Sequence, residues 1–267
     1  VASVQLQNIS LSFGENTILS DISFTLATGE RIALAGVNGS GKSTLMKVMA
    51  GLQQPDSGTI THSRGIRISY LPQSGVSYSS VSLMEEAEKA FDHLHSVEQE
   101  KQELEHQLGS NAEDNEHTHA LIEKHHHLQE LLVDHGFYDR KSEIEKVFLG
   151  LGFGREDLER NCDQFSGGWQ MRIALGKILL EQPDILLLDE PTNYLDLEAR
   201  TWLEQFLQHY PGGILVVSHD RFFLDTIVQQ VYELFLTTLK QYRGNYTEYE
   251  QKRAQEIELL QKQYEEQ

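Results

Sequence analysis

The sequence predicts an α/β fold: a parallel sheet covered by helices, preceded by short strands and turns and interrupted by an inserted helical hairpin. Three observations carry this expectation. Buried-strand runs alternate with helical runs after residue 165, the pattern of a parallel sheet with helices on its faces. A glycine-rich loop joins a strand-like run to a helical one at residues 36–43. Between residues 81 and 137, glycine, proline and strand-like runs almost vanish, and apolar residues step by four and three.

Taken in order, "SVQLQNISLSF", "LSDISFTLATGE" and "RIALAG" read as strands separated by turns. "RIALAG" flows into "VNGSGKST" and then into the helical "LMKVMAGL", which Gly51 and Pro55 close. From Val81 a heptad seam runs through Leu83, Ala87, Ala90, Leu94, Val97, Lys101, Leu104 and Leu108. Gly109 and the polar run "SNAEDNEHTH" break it, and a second seam follows at Leu121, His125, Leu128 and Leu132. Two such helices joined by a polar turn make an antiparallel hairpin that buries its seam against itself and can project from a globular body. Residues 85–146 carry 17 acids against 6 bases, a net of −11, so the hairpin is strongly acidic. The α/β texture then returns: "QMRIALGKILLEQ" reads as helix, "DILLLDEP" as buried strand, "LEARTWLEQFLQHY" as helix and "GGILVVSHD" as strand. From Lys240 the chain turns charged and helical, with Glu248/Lys252 and Glu258/Lys262 at supportive i,i+4 spacing, and reads as a linker or coiled extension.

Composition bounds what such a chain can do. At 267 residues it can bury a real core. Its net charge of −19 argues against a broad electrostatic grip on nucleic acid, leaving only local contacts. Cys162, the one cysteine, excludes an internal disulfide and reads as a small packing residue. No apolar stretch approaches the ~20 residues a membrane-crossing helix needs, and "VASVQLQNIS" has no signal-peptide pattern. A soluble, cytoplasmic protein without a membrane partner is expected. Opening on Val and stopping inside a charged helical pattern, the chain reads as a fragment of a longer polypeptide.

The chemistry concentrates in a few motifs. "GVNGSGKST" fits G-x-x-x-x-G-K-[ST] in a strand–loop–helix context. Gly36, Gly39 and Gly41 let the backbone curl so that its N–H groups face phosphates, Lys42 reaches the β- and γ-phosphates, and the Ser43 hydroxyl ligates Mg²⁺. Asn38, Ser40 and Thr44 of the same loop complete the expected ATP-binding set. Asp189, at the end of "ILLLDEP", is expected to hold Mg²⁺ directly or through water, and Glu190 stands where a base orients the attacking water. Farther on, "FSGGWQMR" puts Ser166, Gly167 and Gly168 at an open helix start, which also suits phosphate.

Together these motifs resemble an ATP-binding-cassette ATPase. In that resemblance "FSGGWQMR" is the family signature, Gln73 in "YLPQ" the glutamine loop and a metal contact, "NYLD" the D-loop, His219 in "VVSHD" the switch histidine, and Phe13 in "LSFGENTIL" the aromatic that stacks on adenine. Gln73, Glu190 and His219 are thereby the expected catalytic residues. The resemblance implies a P-loop (RecA-like) nucleotide-binding domain with an antiparallel β subdomain and a helical signature subdomain, in residues 1–84 and 147–239. The hairpin of 85–146 would be an inserted arm, and residues 240–267 the start of a helical interdomain linker. It also implies a second cassette, in the same full-length chain or a homodimer, because the signature helix of one cassette caps the γ-phosphate held by the loop of the other. Ser166, Gly167 and Gly168 would then serve a different nucleotide from Lys42.

Within that family three features resemble the ribosome-associated ABC-F class. The signature reads "SGGWQMR"; "SHDRFFLD" and "DEPTNYLDLEA" resemble its S-H-D-R-x-F-L-D and D-E-P-T-N-H-L-D-x-E, with Tyr194 in place of the customary histidine; and "YRGNYTEYEQKR" resembles its linker opening. The class implies an ATP-gated translation factor or antibiotic-resistance ribosomal protection protein, with ribosome and tRNA as partners. The hairpin's charge points to a basic ribosomal protein, since acid repels RNA over ~8 Å. The alternative is an ABC transporter subunit. "HHH" at residues 125–127 points its rings about 100° apart and suits a solvated helix face, and the Trp169 ring has two readings, stacking on a ligand or packing beside the signature helix.

Overall fold

The computed structural model describes residues 2–110 and 116–265. In chain order its elements are β1 (Ser3–Phe13), β2 (Asn16–Ala27), β3 (Arg31–Ala35), α1 (Lys42–Met49), β4 (Ser57–His62) and β5 (Ile68–Leu71). Five helices follow, α2 (Leu83–Glu88), α3 (Asp92–Ser110), α4 (Glu116–Asp134), α5 (Arg140–Gly150) and α6 (Gly167–Glu181). The chain then runs through β6 (Ile185–Asp189), α7 (Leu197–Gln208), β7 (Gly213–Val217), α8 (Arg221–Ile227), β8 (Gln230–Phe235), β9 (Thr238–Arg243) and α9 (Tyr246–Glu265). One compact unit comprises β1 to β5 with α1 and everything from β6 onward; the other comprises α2 to α6.

In the first unit, β2, β1 and β4 form an antiparallel sheet in that order. Val4 and Leu6 are buried, then Ile9 and Leu11, so the period-two pattern slips by one residue. The register shifts at the same place, where Asn8 takes φ +51°, a conformation asparagine tolerates. The second sheet has the order β5-β6-β7-β3-β8-β9, parallel except for the antiparallel edge strand β9. Every residue of β6 and β7 is buried, which is why "ILLL" and "ILVV" are continuous aliphatic runs instead of alternations. Helix α1 buries Leu45, Met46, Val48 and Met49 and closes with Gly51 at φ +73° and a bond from Leu52 N–H to Lys47 O of 2.8 Å, a Schellman turn.

The helical texture expected from Lys240 begins six residues later. Thr238–Arg243 instead pairs with β8 across a two-residue turn, Leu236–Thr237, both at positive φ. Hairpin turns of that geometry are usually written Asn-Gly or Asp-Gly; here the residues are Leu and Thr, so the sequence hides the hairpin.

In the second unit most of the expected seam is buried, Leu83, Ala87, Ala90, Leu94, Lys101 and Leu104 on one side and Leu128 and Leu132 on the other, while Val97, Leu108, Leu121 and His125 are only half-buried. A short 3-10 turn at Lys89–Phe91 separates α2 from α3, so the first seam is carried by two helices. Ser82 and Glu85 close a capping box on α2. The polar turn expected between α3 and α4 falls on residues 111–115, outside the described residues. Cys162 is buried, and Trp169 packs edge-on against Phe153 at 4.8 Å with the Arg172 guanidinium 4.2 Å from its ring. Among the described residues, no helix is long and apolar enough to cross a membrane.

Candidate functional site

Parallel strands gather their carboxyl ends on one edge of a sheet, and ligands bind there. The loops after β3, β5, β6 and β7 carry residues 36–41, Gln73, Glu190 and His219 respectively, so four distant sequence motifs meet on one rim. A cleft of about 410 Å³ lies there, lined among others by Asn38, Gly39, Gly41, Lys42, Ser43, Thr44, Gln73, Asp189, Glu190 and His219.

The loop is shaped by its glycines. A Cβ on Gly36, φ +147°, would stand 2.6 Å from Leu234 O, and one on Gly41, φ +103°, would stand 2.6 Å from Ile18 Cγ2. Neither position admits a larger residue without backbone movement. Lys42 Nζ donates to the carbonyls of Gly36 at 2.8 Å and Val37 at 3.0 Å. Its ammonium is held below the usual lysine range by burial, which the charges of Glu190 and Asp189 only partly offset. Ser40 Oγ is buried without a hydrogen-bond partner among the protein atoms, the sign of a cradle built for an oxygen-rich ligand.

The acidic side of the cleft is nearly dry. Asp189 is 2% exposed and Glu190 4%. Tyr70 OH donates to Asp189 Oδ2 at 3.3 Å, and its own ionisation is pushed up by burial and then by the Asp189 charge. Glu190 takes φ +54°, fixed by its N–H to Val217 O at 2.8 Å. Its carboxylate accepts from the His219 backbone N–H at 3.2 Å and lies 3.3 Å from His219 Nε2. Burial raises the Glu190 carboxyl above the ordinary carboxylate range, and His219 opposes that. Such a carboxyl is a poised proton acceptor.

Among the described residues no cluster of three or more His, Cys, Asp or Glu side chains could hold a metal. The expected metal donors that line the cleft are the Ser43 hydroxyl, the Asp189 carboxylate and the Gln73 amide, with the oxygens of Asn38, Thr44 and Glu190 also at its wall. Such a sparse oxygen set fits Mg²⁺ shared with phosphate oxygens better than an ion caged by protein alone.

Two sequence expectations are not among the residues that line this cleft. Phe13 is 51% exposed at the end of β1, so it is not a core residue, and it is absent from the cleft's lining. Ser166 caps α6 with extended backbone and no side-chain hydrogen bond of its own, followed by exposed Gly167 and half-buried Gly168. Ser166 lines a separate pocket of about 360 Å³ with Asp157, Arg160, Gln164, Phe165 and Trp169. Conversely, Ile18, Tyr70 and Val217 take part in the cleft and were invisible beforehand, because strand residues carry no mark of the loop that will pass them.

The family described as ABC transporter matches residues 19–193. YdiF of Bacillus subtilis is 41% identical over 264 residues, covering 99% of this chain and 41% of that protein. The ABC transporter F family member 5 of Arabidopsis thaliana is 35% identical over 256 residues, covering 96% of this chain and 37% of that one. The chain thus spans about two fifths of the length of these relatives. The solved structure titled as a dimeric post-hydrolysis state of the ATP-binding cassette MJ0796, bound to ADP and Pi, has the same fold. Its TM-score is 0.61 at 18% identity, over 90% of this chain and 98% of that one. With its glycine loop, buried Asp189–Glu190 strand end and His219 gathered on one sheet rim, the chain belongs to the ABC transporter family of ATPase cassettes.

Proposed function

We propose that the chain is the ATP-binding and hydrolysing cassette of an ABC-F translation factor or ribosome-protecting resistance protein, acting with a second cassette. The observation that supports the composite mechanism is that the two phosphate-binding features line different pockets. Every residue lining the cleft belongs to the first unit, while Ser166 lines another pocket. Leu197, seven residues after Glu190, is 69% exposed, and Phe222, three after His219, is 84% exposed, so both are available to a facing partner.

In this reading the loop N–H groups and Lys42 bind the β- and γ-phosphates, and Phe13 stacks on the base. Ser43, Asp189 and Gln73 hold Mg²⁺, which when bound neutralises phosphate charge. Glu190 accepts the proton of the attacking water, and His219 orients the Glu190 carboxylate. Ser166, Gly167 and Gly168 serve the nucleotide of the other cassette, and loss of the γ-phosphate removes the charge that ties the cassettes together.

The ABC-F assignment rests on the signature and linker residues and on the likeness to the Arabidopsis F family member. Residues 85–146 are then the arm, α9 opens the interdomain linker, and the protein works in the cytoplasm. The second reading, an ATPase subunit of a transporter, draws on the family description itself. Cosedimentation decides between them: an ATP-trapped protein pelleting with ribosomes supports the first, and retention on membranes with a transmembrane partner supports the second.

A further inference from the structure

Helix α8 starts with Arg221, two residues after His219, and is only seven residues, about 10 Å, long. A shift at one of its ends is therefore felt at the other. Its N-cap is Asp220, which accepts from Phe223 N–H at 3.2 Å and pairs with Arg200 of α7. At the far end Asp225 accepts from Thr247 N–H at 2.7 Å and from the Thr247 hydroxyl. Thr247 is the second residue of α9, so its N–H is one that a helix leaves without an internal partner. The Asp225 carboxylate thus caps α9 from outside and sits at the positive end of its dipole. Arg221 adds an ion pair to Glu250 at 3.0 Å, exposed enough to contribute little alone.

The first turns of α9 are themselves fixed. Glu233 of β8 is buried, accepts from Arg253 Nε at 2.9 Å and from Tyr249 OH at 3.2 Å, and lies 3.4 Å from Tyr242 OH. The helix is a strut that runs from the sheet to α8. None of Asp225, Thr247, Arg221 and Glu250 lines the cleft.

From this arrangement we propose that α9 braces α8 and so sets where His219 meets Glu190, with Asp225 and Thr247 as positioning residues for hydrolysis. The proposal rests on the ATPase reading above. It gives α9 a regulatory role: whatever pulls on α9 alters turnover without touching the nucleotide. The Asp225–Thr247 cap carries the coupling.

The test uses the full-length protein with Asp225→Ala, Asp225→Asn and Thr247→Val. Asp225→Ala should lower kcat about tenfold, as expected when a reacting group is slightly misplaced, while ATP affinity stays within about twofold of wild type. Asp225→Asn keeps an acceptor for Thr247 N–H and should recover most of the loss; Thr247→Val should lie between. A second readout does not depend on hydrolysis: exchange of the His219 amide, which donates to Glu190, should quicken in Asp225→Ala without a comparable rise across the sheet. Absence of hydrolysis in the wild type would refute the ATPase reading while leaving the amide exchange to judge the brace. Wild-type kcat in Asp225→Ala, equal loss of kcat and ATP affinity, or unchanged His219 exchange would each overturn it.

Discussion

Glu190 combines two costs at one position: a left-handed backbone, worth about 1–2 kcal/mol for a residue with a Cβ, and a carboxyl that burial pushes upward. Proteins retain such strain where it serves chemistry. Glu190→Gln keeps the shape and an acceptor for His219 N–H but abolishes the proton acceptor. Turnover should fall by at least ~10², ATP binding should survive, and the melting temperature should not drop, because a buried charge is removed. Single-turnover kinetics with equilibrium nucleotide binding checks this, and wild-type turnover would remove Glu190 from the mechanism. Lys42→Ala should instead weaken ATP binding itself, since its Nζ lies beside the loop carbonyls that enclose the phosphate position. Residues 36–44, Asp189 and Glu190 were readable because consecutive residues spell the motif. Tyr70 was not, since it reaches Asp189 only because the sheet makes β5 and β6 neighbours, and Ile18 was not, since it lies on a strand of the other sheet that happens to pass Gly41.

The acidic hairpin shows the same contrast at the level of elements. Most of its seam was legible because heptad spacing marks the face that is buried, though Val97, Leu108, Leu121 and His125 stay half-buried, and Lys101, a seam residue only 8% exposed, fits through its polar partners. Lys101 Nζ donates to Tyr138 OH at 2.9 Å and Gln129 Oε1 at 3.1 Å, while Tyr138 donates to Glu98 at 2.8 Å. For Glu98 burial acts upward, but bonds from Tyr138, Gln102 and Lys101 outweigh it and hold the carboxyl below its usual range. A depressed folded value stabilises above the unfolded value and is lost as pH falls through the folded one. Helicity of α3–α4 should therefore fade below about pH 4, and Glu98→Gln should flatten that acid loss; equal pH dependence in both proteins would deny the network a role. Charge pairing, which spacing could not reveal, also redirects any test of docking. Glu98, Glu100 and Glu105 are engaged with Lys101, Lys124 and His125, so neutralising them would damage the hairpin. Exposed Glu103, Glu123, Glu130 and Asp134 are the better set. Their joint neutralisation should slow association with ribosomes, more so at low salt, without altering ATP affinity. Faster binding would show that the acidic face only aids solubility.

For the molecule as a whole, the order of elements and the parallel sheet were legible, because buried strands and amphipathic helices alternate visibly in the second half of the chain. The β8–β9 hairpin was not, since its turn lacks the usual residues and its edge strand is polar. That hairpin places Tyr242 beside Glu233 and so anchors α9, making the least readable stretch the one that leads into this helix. The central claim is that one chain holds two halves of different sites. The most direct measurement is ATP turnover per chain as a function of protein concentration at saturating ATP–Mg²⁺. Turnover should be slow at high dilution and rise with concentration as second cassettes supply Ser166, Gly167 and Gly168. Brisk turnover per chain, independent of concentration down to the most dilute samples, would contradict it.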